Sequence, residues 1–240
     1  MSGLRLVGVR LAAAGRVLVT GLDLQVACGE VVALMGPSGC GKSSLLALVG
    51  GNLTPGIAAT GEIWLNGVRV DRLPSEQRRI GILFQDDLLF PHLSVGENLA
   101  FALPRSVARR ETRRRRVAAA LVEAGLAGFA DRDPATLSGG QRARVAMMRA
   151  LLAEPRALLL DEAFAALDTA LRQSFRAFVF EHARAAGLPV LMATHDPADA
   201  EAADARIVAP WISGGALPDG AERDAASERY MGATLSRDPA

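Results

Sequence analysis

Short apolar runs separated by glycines dominate the first third of the chain. The runs occupy residues 4–9, 16–20, 22–26 and 31–35, and the glycines between them are Gly15, Gly21 and Gly29. Runs of this length bounded by turn residues are typical of β-strands. Residues 61–70 add a hairpin pattern with Asn-Gly at its centre. We therefore expect a small antiparallel sheet that flanks the glycine-rich residues 36–43.

The pattern changes between residues 86 and 155, where strand runs vanish and alanine, leucine and arginine dominate. Residues 109–124 form one helix candidate. A second helix should begin at Ser138, because a serine followed three residues later by Gln141 is a capping box. Its apolar face comprises Val145, Met148, Leu151 and Leu152, and Glu154-Pro155 should end it. We interpret this whole stretch as an inserted helical subdomain.

A dense block of arginines lies in the helix candidate 109–124. Its members are Arg109, Arg110, Arg113, Arg114, Arg115 and Arg116. A run of like charges on a helix is usually a solvated face. Contact with an anionic partner is the alternative, and the sequence leaves both interpretations open.

The rest of the chain alternates buried strands with helices. Strand runs lie at 80–84, 157–160 and 190–194, and helices are predicted at 43–49 and after Asp168. This alternation predicts an α/β fold with a mainly parallel central sheet. We expect the main domain to span residues 1–208, with a last weak strand near residue 207. The residues 209–240 should form a weakly ordered tail.

Composition narrows the possible classes of function. The 240 residues carry a net charge of +1, so the basic footprint of nucleic-acid binding is absent and we expect no nucleic-acid partner. The cysteines, Cys28 and Cys40, have no metal-ligand neighbours, which favours a reducing compartment. No apolar run approaches the roughly 18 residues that span a bilayer, and the start shows no signal-peptide pattern. These features predict a soluble cytoplasmic protein.

The glycine-rich stretch matches the pattern G-x-x-x-x-G-K-[ST]. It consists of Gly36, Pro37, Ser38, Gly39, Cys40, Gly41, Lys42 and Ser43, and Ser44 follows in the helix. A strand, a glycine loop and a helix in this order form the context of a phosphate-binding loop. Backbone N–H groups converge on phosphate there, Lys42 should reach the β- and γ-phosphates, and Ser43 should ligate Mg²⁺. A glycine turn with an incidental lysine is the alternative.

Polar residues follow three other predicted strands directly. They are Gln85, the pair Asp161 and Glu162, and His195. Ligands bind at the carboxyl edge of an open α/β sheet, so these residues should meet there. Asp161 should hold Mg²⁺ through water, Glu162 should orient and deprotonate an attacking water, and Gln85 would reach both. His195 would hydrogen-bond the γ-phosphate, although a surface acid pair, an incidental glutamine and a structural histidine are the alternatives.

A second anion-binding pattern lies at residues 137–141, where Ser138, Gly139, Gly140 and Gln141 open the predicted helix. A hydroxyl, two glycines and a helix N-terminus suit a phosphate. One loop already binds the phosphates in this chain, so a second would be redundant. The redundancy indicates that residues 137–141 serve a nucleotide held by another subunit.

Together these motifs resemble the ATP-binding subunit of ATP-binding cassette (ABC) transporters. The resemblance rests on Gly36 to Ser43, Gln85, residues 137–141, residues 158–162, residues 166–168 and His195, and it covers about residues 4–208. It implies a P-loop NTPase of the ABC type, whose homodimer closes head to tail over two ATP molecules with Mg²⁺. It also implies that Glu162 is the catalytic base, that His195 senses the γ-phosphate and that Asp168 signals across the dimer.

Residues 84–98 resemble bacterial importers that use a periplasmic binding protein, in the group serving thiamine, polyamines, iron or sulfate. This resemblance implies two transmembrane permease subunits that dock a coupling helix on residues 85–102, and a periplasmic substrate-binding protein acting through them. It also implies a peripheral location on the cytoplasmic side of the inner membrane. An exporter motor of the lipoprotein or macrolide type is one alternative. A soluble ABC ATPase of translation or DNA repair is another.

The chain departs from the family pattern in two regions. Residues 11–14 contain no Tyr, Phe or Trp, whereas family members carry an aromatic there that stacks on adenine. Ala163 replaces the usual proline after the base, and Ala165 or Ala166 replaces the usual serine of the next loop. We expect these alanines to loosen the loop while leaving Glu162 in place.

Overall fold

The computed structural model describes residues 3–211 and contains two sheets. The strands are β1 (Gly3–Ala13), β2 (Arg16–Ala27), β3 (Val31–Met35), β4 (Ile57–Leu65), β5 (Val68–Arg69), β6 (Ile80–Phe84), β7 (Ala157–Asp161), β8 (Val190–Thr194) and β9 (Arg206–Val208). The helices are α1 (Lys42–Gly50), α2 (Ser75–Arg78), α3 (Val95–Ala102), α4 (Arg110–Glu123), α5 (Gly139–Leu152), α6 (Thr169–Ala185) and α7 (Pro197–Ala202). A 3₁₀ turn at Pro134–Thr136 precedes α5.

The antiparallel sheet has the order β2-β1-β4-β5, which confirms the expected N-terminal β-subdomain. The predicted Asn66-Gly67 turn joins β4 to β5, with φ values of 52° and 80°. The prediction that Gly21 separates two strands was wrong. Strand β2 runs through Gly21, whose φ is 63°, because the register against β1 shifts there and a β-bulge takes up the extra residue.

The second sheet is parallel throughout and has the order β6-β7-β8-β3-β9, as the alternation of strands and helices predicted. Its central strands are continuous apolar runs. Leu158, Leu159 and Leu160 of β7 are fully buried, as expected for a parallel sheet covered on both faces. The last strand, β9, pairs with β3 at the edge.

The helices α3, α4 and α5 lie between β6 and β7 in the chain and pack around an apolar cluster that includes Val95, Leu121 and Val145. Helix α5 begins at the predicted capping box, in which Ser138 and Gln141 bond each other's backbone. Helix α3 begins at a capping box formed by Ser94 and Glu97, which the sequence analysis did not single out.

The arginine block divides into two groups in the structure. Arg113 donates to the carbonyl of Val107 and Arg116 forms an ion pair with Glu154 at 2.7 Å, so both fasten α4 to neighbouring segments. The remaining arginines of the block are exposed: Arg109, Arg110, Arg114 and Arg115. The exposed group fits the interpretation as a solvated face, and an anionic partner stays a prediction.

The register of the parallel sheet aligns the strand ends that carry the predicted site. Phe84 lies opposite Asp161, Asp161 opposite Ala193, and Met35 opposite Thr194. The residues that follow these strands therefore meet at one edge. The predicted tail, residues 209–240, lies outside the described residues except for Ala209 to Trp211.

Candidate active site

The phosphate loop, residues 36–43, closes on itself through Lys42. The Lys42 ammonium donates to the carbonyls of Gly36 at 2.8 Å and Pro37 at 3.1 Å, and the residue is only 5% exposed. Gly39 and Gly41 have φ values of 76° and 111°, in the left-handed region that favours glycine. A residue with a Cβ at either of these two positions would strain the backbone of the loop.

Helix α1 begins within the loop, at Lys42, with an N-terminus suited to an anion. Its N-cap, Gly41, supplies no side-chain hydrogen bond, so the first N–H groups of α1 are left for a ligand. The helix dipole adds partial positive charge at the same end. With the ammonium of Lys42 beside it, the loop therefore fits the phosphates of a nucleotide.

Ser43 and Asp161 bring two oxygen donors together at the end of the loop. The Ser43 hydroxyl donates to Asp161 Oδ1 at 2.8 Å. Burial raises the pKa of the Asp161 carboxyl above its ordinary value of 3.8, and the charge of Glu162 raises it too, while Ser43 and Lys42 counteract this. A nearby cation would relieve the cost of this half-buried charge.

Oxygen donors of this kind suit Mg²⁺ better than a softer metal. No cluster of three or more His, Cys, Asp or Glu that could hold a metal ion occurs within residues 3–211. Two protein ligands fit an ion that keeps several waters and shares phosphate oxygens, which is how Mg²⁺ binds at nucleotide sites.

Glu162 lies between Lys42 and His195. Its carboxylate is 4.0 Å from the Lys42 ammonium and 3.5 Å from His195 Nδ1. The backbone of Glu162 has a φ of 48°, and its N–H donates to the carbonyl of Ala193 on β8. Strained backbone of this kind persists where surrounding structure imposes it, and it clusters at functional sites.

One of the predicted residues, Gln85, stands apart from this cluster, and another, His195, is exposed within it. Gln85 follows β6 at the same edge and is exposed, and it makes no hydrogen bond to the cluster in the part of the chain that the structure describes. His195 is in the cluster but its side chain is 58% exposed. The structure therefore joins Lys42, Ser43 and Asp161 with Glu162 and His195, and leaves Gln85 near but unattached.

The Ser138 turn, residues 137–141, is a separate surface. Ser138 is exposed, and no hydrogen bond or ion pair between described residues links this turn to the phosphate loop. Gly140 is buried against α6, where an added Cβ would clash with the side chain of Leu171. This placement fits the expectation that the turn serves a nucleotide on another subunit.

Three functional contacts escaped the sequence analysis. The Trp211 indole donates to the carbonyl of Met35, and its ring occupies the space that a Cβ on Gly36 would need.

Arg149 of α5 donates to the carbonyls of Leu88 and Asp87 in the segment after Gln85. No local sequence signal identifies the first two contacts, because the paired residues lie more than 60 positions apart. The third, made by Arg172, is described below.

The alanine-rich residues 11–14 form the end of β1 and its turn into β2. Leu11 is fully buried in the core, and Ala14 adopts a φ of 48° at the turn. Leu18 packs against the phosphate loop, with its side chain 3.0 Å from the position that a Cβ on Gly41 would take. Ala163 is buried in the core beside Phe164.

Comparison with known proteins identifies the family. The ABC transporter family profile matches residues 19–165. The uncharacterized ABC transporter ATP-binding protein YnjD of Escherichia coli is 53% identical over 198 residues, which cover 81% of this chain and 89% of that protein. The sulfate/thiosulfate import ATP-binding protein CysA of Gloeobacter violaceus is 44% identical over 191 residues, covering 79% of this chain. The match spans 55% of CysA, so this chain spans about half the length of that relative.

A solved structure extends the similarity to the fold. The ATP-binding cassette MJ0796, in a dimeric post-hydrolysis state bound to ADP and Pi, has a TM-score of 0.73 and 31% identity, and the match covers 87% of this chain and 94% of that one. Among the helices of residues 3–211, none is both long and apolar enough to cross a membrane. Motif geometry and these similarities together show that the chain belongs to the ABC transporter family, as one of its ATP-binding, ATP-hydrolysing subunits.

Proposed function

We propose that this chain is the motor subunit of a bacterial binding-protein-dependent importer. The observation that carries the proposal is the cluster at the sheet edge, in which Glu162 lies within 4.0 Å of both Lys42 and His195, beside the Ser43–Asp161 pair. An ammonium, a carboxylate and an imidazole in this arrangement suit phosphoryl transfer to water.

The residues act on bound ATP in distinct ways. The Lys42 ammonium gives up its hydrogen bonds to the carbonyls of Gly36 and Pro37 and binds the β- and γ-phosphates instead. The charge-assisted bonds to phosphate compensate for the two bonds to carbonyls. Glu162 accepts the proton of the attacking water, and the exposed imidazole of His195 donates to the γ-phosphate. Gln85, at the same edge, orients the water once the nucleotide is bound.

Ser43 and Asp161 would hold Mg²⁺, Ser43 directly and Asp161 through water, with Gln85 as a further ligand. When bound, the ion neutralises charge that develops on the phosphate oxygens. The hydrogen bond from the Ser43 hydroxyl to Asp161 places the two proposed ligands close together.

A homodimer completes the site. The Ser138 turn, with Gly139, Gly140 and Gln141, would bind the γ-phosphate of an ATP held by the phosphate loop of the other copy. The exposure of Ser138, and the separation of the turn from the phosphate loop of the same chain, support this assignment. ATP then stabilises a closed pair because only the closed arrangement offers the nucleotide both surfaces.

Two permease subunits would dock on the segment 85–102, and a periplasmic binding protein would deliver the substrate to them. Exposed apolar side chains on and next to this segment support the proposal, with Leu88 57% exposed and Phe101 68% exposed. The import protein CysA among its relatives supports the direction of transport. The motor would then lie on the cytoplasmic side of the inner membrane.

Purification from membranes tests this proposal against its alternatives. The tagged chain should co-purify with two hydrophobic subunits, and ATP hydrolysis by the complex should respond to a periplasmic binding protein. An export motor would co-purify with permease subunits but gain nothing from any binding protein. A chain that stays with ribosomes or DNA and never with membrane subunits would overturn the transport function.

A further inference from the structure

A network of hydrogen bonds fixes the position of His195 from outside the catalytic cluster. At its centre is Arg172 in the first turn of α6. One end of its guanidinium, Nη2, donates to the carbonyls of Ala165 at 3.3 Å and Leu167 at 3.1 Å. The other end, Nη1, donates to Asp196 Oδ2 at 3.0 Å. Arg172 therefore joins the Asp168 loop (residues 162–168) to the residue directly after His195.

Asp196 is itself held in place by its surroundings. Its second carboxylate oxygen accepts from the N–H of Ala198 and caps helix α7. Its own N–H donates to the hydroxyl of Thr194 at 3.0 Å. The residues on both sides of His195 are thus fixed, whereas the ring is exposed and faces Glu162. A displacement of Asp196 would move the ring with it.

The Thr194 side of His195 has its own support. Thr194 donates to Asp199 Oδ2 at 2.7 Å, and Asp199 pairs with Arg176 of α6 at 2.8 Å. Helix α6 therefore holds the histidine segment through two arginines one turn apart. The same helix begins at Asp168, whose side chain accepts from the N–H of Leu171. The Asp168 loop and the His195 segment are consequently attached to one rigid element.

Stability alone does not explain the Arg172 contacts. The Arg172 and Asp196 side chains are 28% and 30% exposed, and ion pairs with such access to water contribute little. Arg172 Nε is buried, and no described residue accepts a hydrogen bond from it. An unsatisfied buried donor costs free energy, so the arrangement is better explained by the position it imposes.

We propose that Arg172 is a positioning residue that sets the position of His195 according to the state of the Asp168 loop. The proposal rests on the role of His195 in hydrolysis given above. A second copy that pushes on the Asp168 loop shifts the carbonyls of Ala165 and Leu167. Arg172 passes this shift to Asp196 and brings the imidazole to, or away from, the γ-phosphate. Hydrolysis is thereby tied to the contact between the two copies.

Arg172→Lys tests this role, because it keeps the positive charge but removes the planar guanidinium that donates to three acceptors at once. We would compare wild type, Arg172→Lys, His195→Ala and the double variant by their kcat and KM for ATP. Arg172→Lys should lower kcat roughly ten-fold and change KM less than two-fold. The double variant should hydrolyse no more slowly than His195→Ala alone, because Arg172 acts only through the histidine. Losses that multiply in the double variant, or an unchanged kcat, would overturn the proposal.

Two further variants keep the test interpretable. Arg184→Lys is the matched control, because Arg184 lies on the same helix and donates to Ala203, away from His195; its kcat should match wild type. Should Arg172→Lys fail to fold, Asp196→Asn tests the same ion pair from its acidic partner. It removes the carboxylate charge, while the amide oxygen still caps α7. The same changes in kcat and KM are expected for it as for Arg172→Lys. A His195→Ala variant with wild-type turnover would instead refute the proposed role of His195 itself.

Discussion

At the scale of single residues, the backbone of Glu162 determines how the site is arranged. Its φ of 48° turns the chain out of β7 and directs the carboxylate between Lys42 and His195. The carbonyl of Glu162 accepts from the N–H of Ala165, which closes the turn. The loosening expected from Ala163 and Ala165 stays a prediction, although Ala163 is buried at 8% exposure.

Glu162→Gln removes the proposed general base but keeps a side chain of nearly the same size and shape. Hydrolysis should fall at least about 100-fold, because a general base contributes that much or more. ATP binding should persist, since Lys42 and the phosphate loop are untouched. Single-turnover hydrolysis and equilibrium binding of ATP measure the two effects separately. Unchanged hydrolysis would exclude Glu162 as the base.

Asp161→Asn should change stability with a definite dependence on pH. The folded pKa of Asp161 is raised above 3.8 by burial, so the folded state binds the proton more tightly than the unfolded state. The contribution of Asp161 to stability is therefore most favourable at low pH, and it falls as pH rises from 3.8 through the raised folded pKa. The variant lacks this fall, so without nucleotide it should unfold at a higher temperature than wild type at pH 7.

Thermal unfolding from pH 3.5 to 7, with and without Mg²⁺ and ATP, checks this prediction. The variant should lose most of the stabilisation that Mg²⁺-ATP gives to wild type, because a metal ligand is missing. Exposed Asp131→Asn is the control and should behave like wild type. An Asp161→Asn protein less stable than wild type at pH 7 without nucleotide would contradict the assignment.

Much of the site follows from the sequence because its residues directly follow apolar strands. Once β6, β7 and β8 are placed side by side, Asp161, Glu162 and His195 must meet at one edge. The positive φ of Glu162 and the contact of Trp211 with Met35 could not be predicted in this way. They depend on tertiary packing between segments that no local pattern connects.

At the scale of elements, helix α5 connects two functional surfaces. Its N-terminus carries the Ser138 turn, and further along Arg142 pairs with Asp87 at 3.2 Å while Arg149 holds the segment after Gln85. Arg149 also lies over the ring of Phe90. We therefore expect a movement of the Ser138 turn to reach, through helix α5, the region proposed to meet the permease.

The contact between α5 and α6 is close at Gly140, and a methyl group there should be costly. Gly140→Ala should destabilise the fold by about 1–3 kcal/mol, because the added Cβ overlaps Leu171. Adding Leu171→Ala should restore part of the loss by opening space. Gly139→Ala is the control, since the nearest atom to its Cβ is Arg142 Nη2 at 3.9 Å.

Urea unfolding of the four proteins measures these differences. Equal stability of Gly140→Ala and wild type would show that α5 and α6 can separate at this point. A double variant no more stable than Gly140→Ala would show that the cost arises from the helix itself.

Local capping residues predicted the start of α5, whereas the equally local capping box of α3 was not singled out and strand ends were predicted less well. The capping box of Ser138 and Gln141 specifies the start of α5 from four residues. Gly21 was misinterpreted because a left-handed glycine is used both in turns and in β-bulges. Only the pairing of β2 with β1 decides between them, and that pairing is not local.

At the scale of the whole molecule, the apolar side chains left exposed near residues 85–102 should contact a membrane partner. Phe101 packs edge-on against Phe90 and is otherwise open to water. Phe101→Ala should weaken co-purification with the permease subunits roughly ten-fold, as for an aromatic at an interface centre. Val122→Ala, equally exposed on α4 at 65%, is the control. An equal loss of co-purification in both variants would contradict the proposal that the permease docks on this segment.

The central claim is that each ATP is bound by two copies of the chain, one through its phosphate loop and the other through its Ser138 turn. Sedimentation velocity of the Glu162→Gln protein with Mg²⁺ and ATP tests it most directly. We predict a monomer without nucleotide, a dimer with ATP, and a monomer that still binds ATP when Ser138→Glu is added. An ATP-bound monomer at high concentration, or a dimer unaffected by Ser138→Glu, would contradict the account.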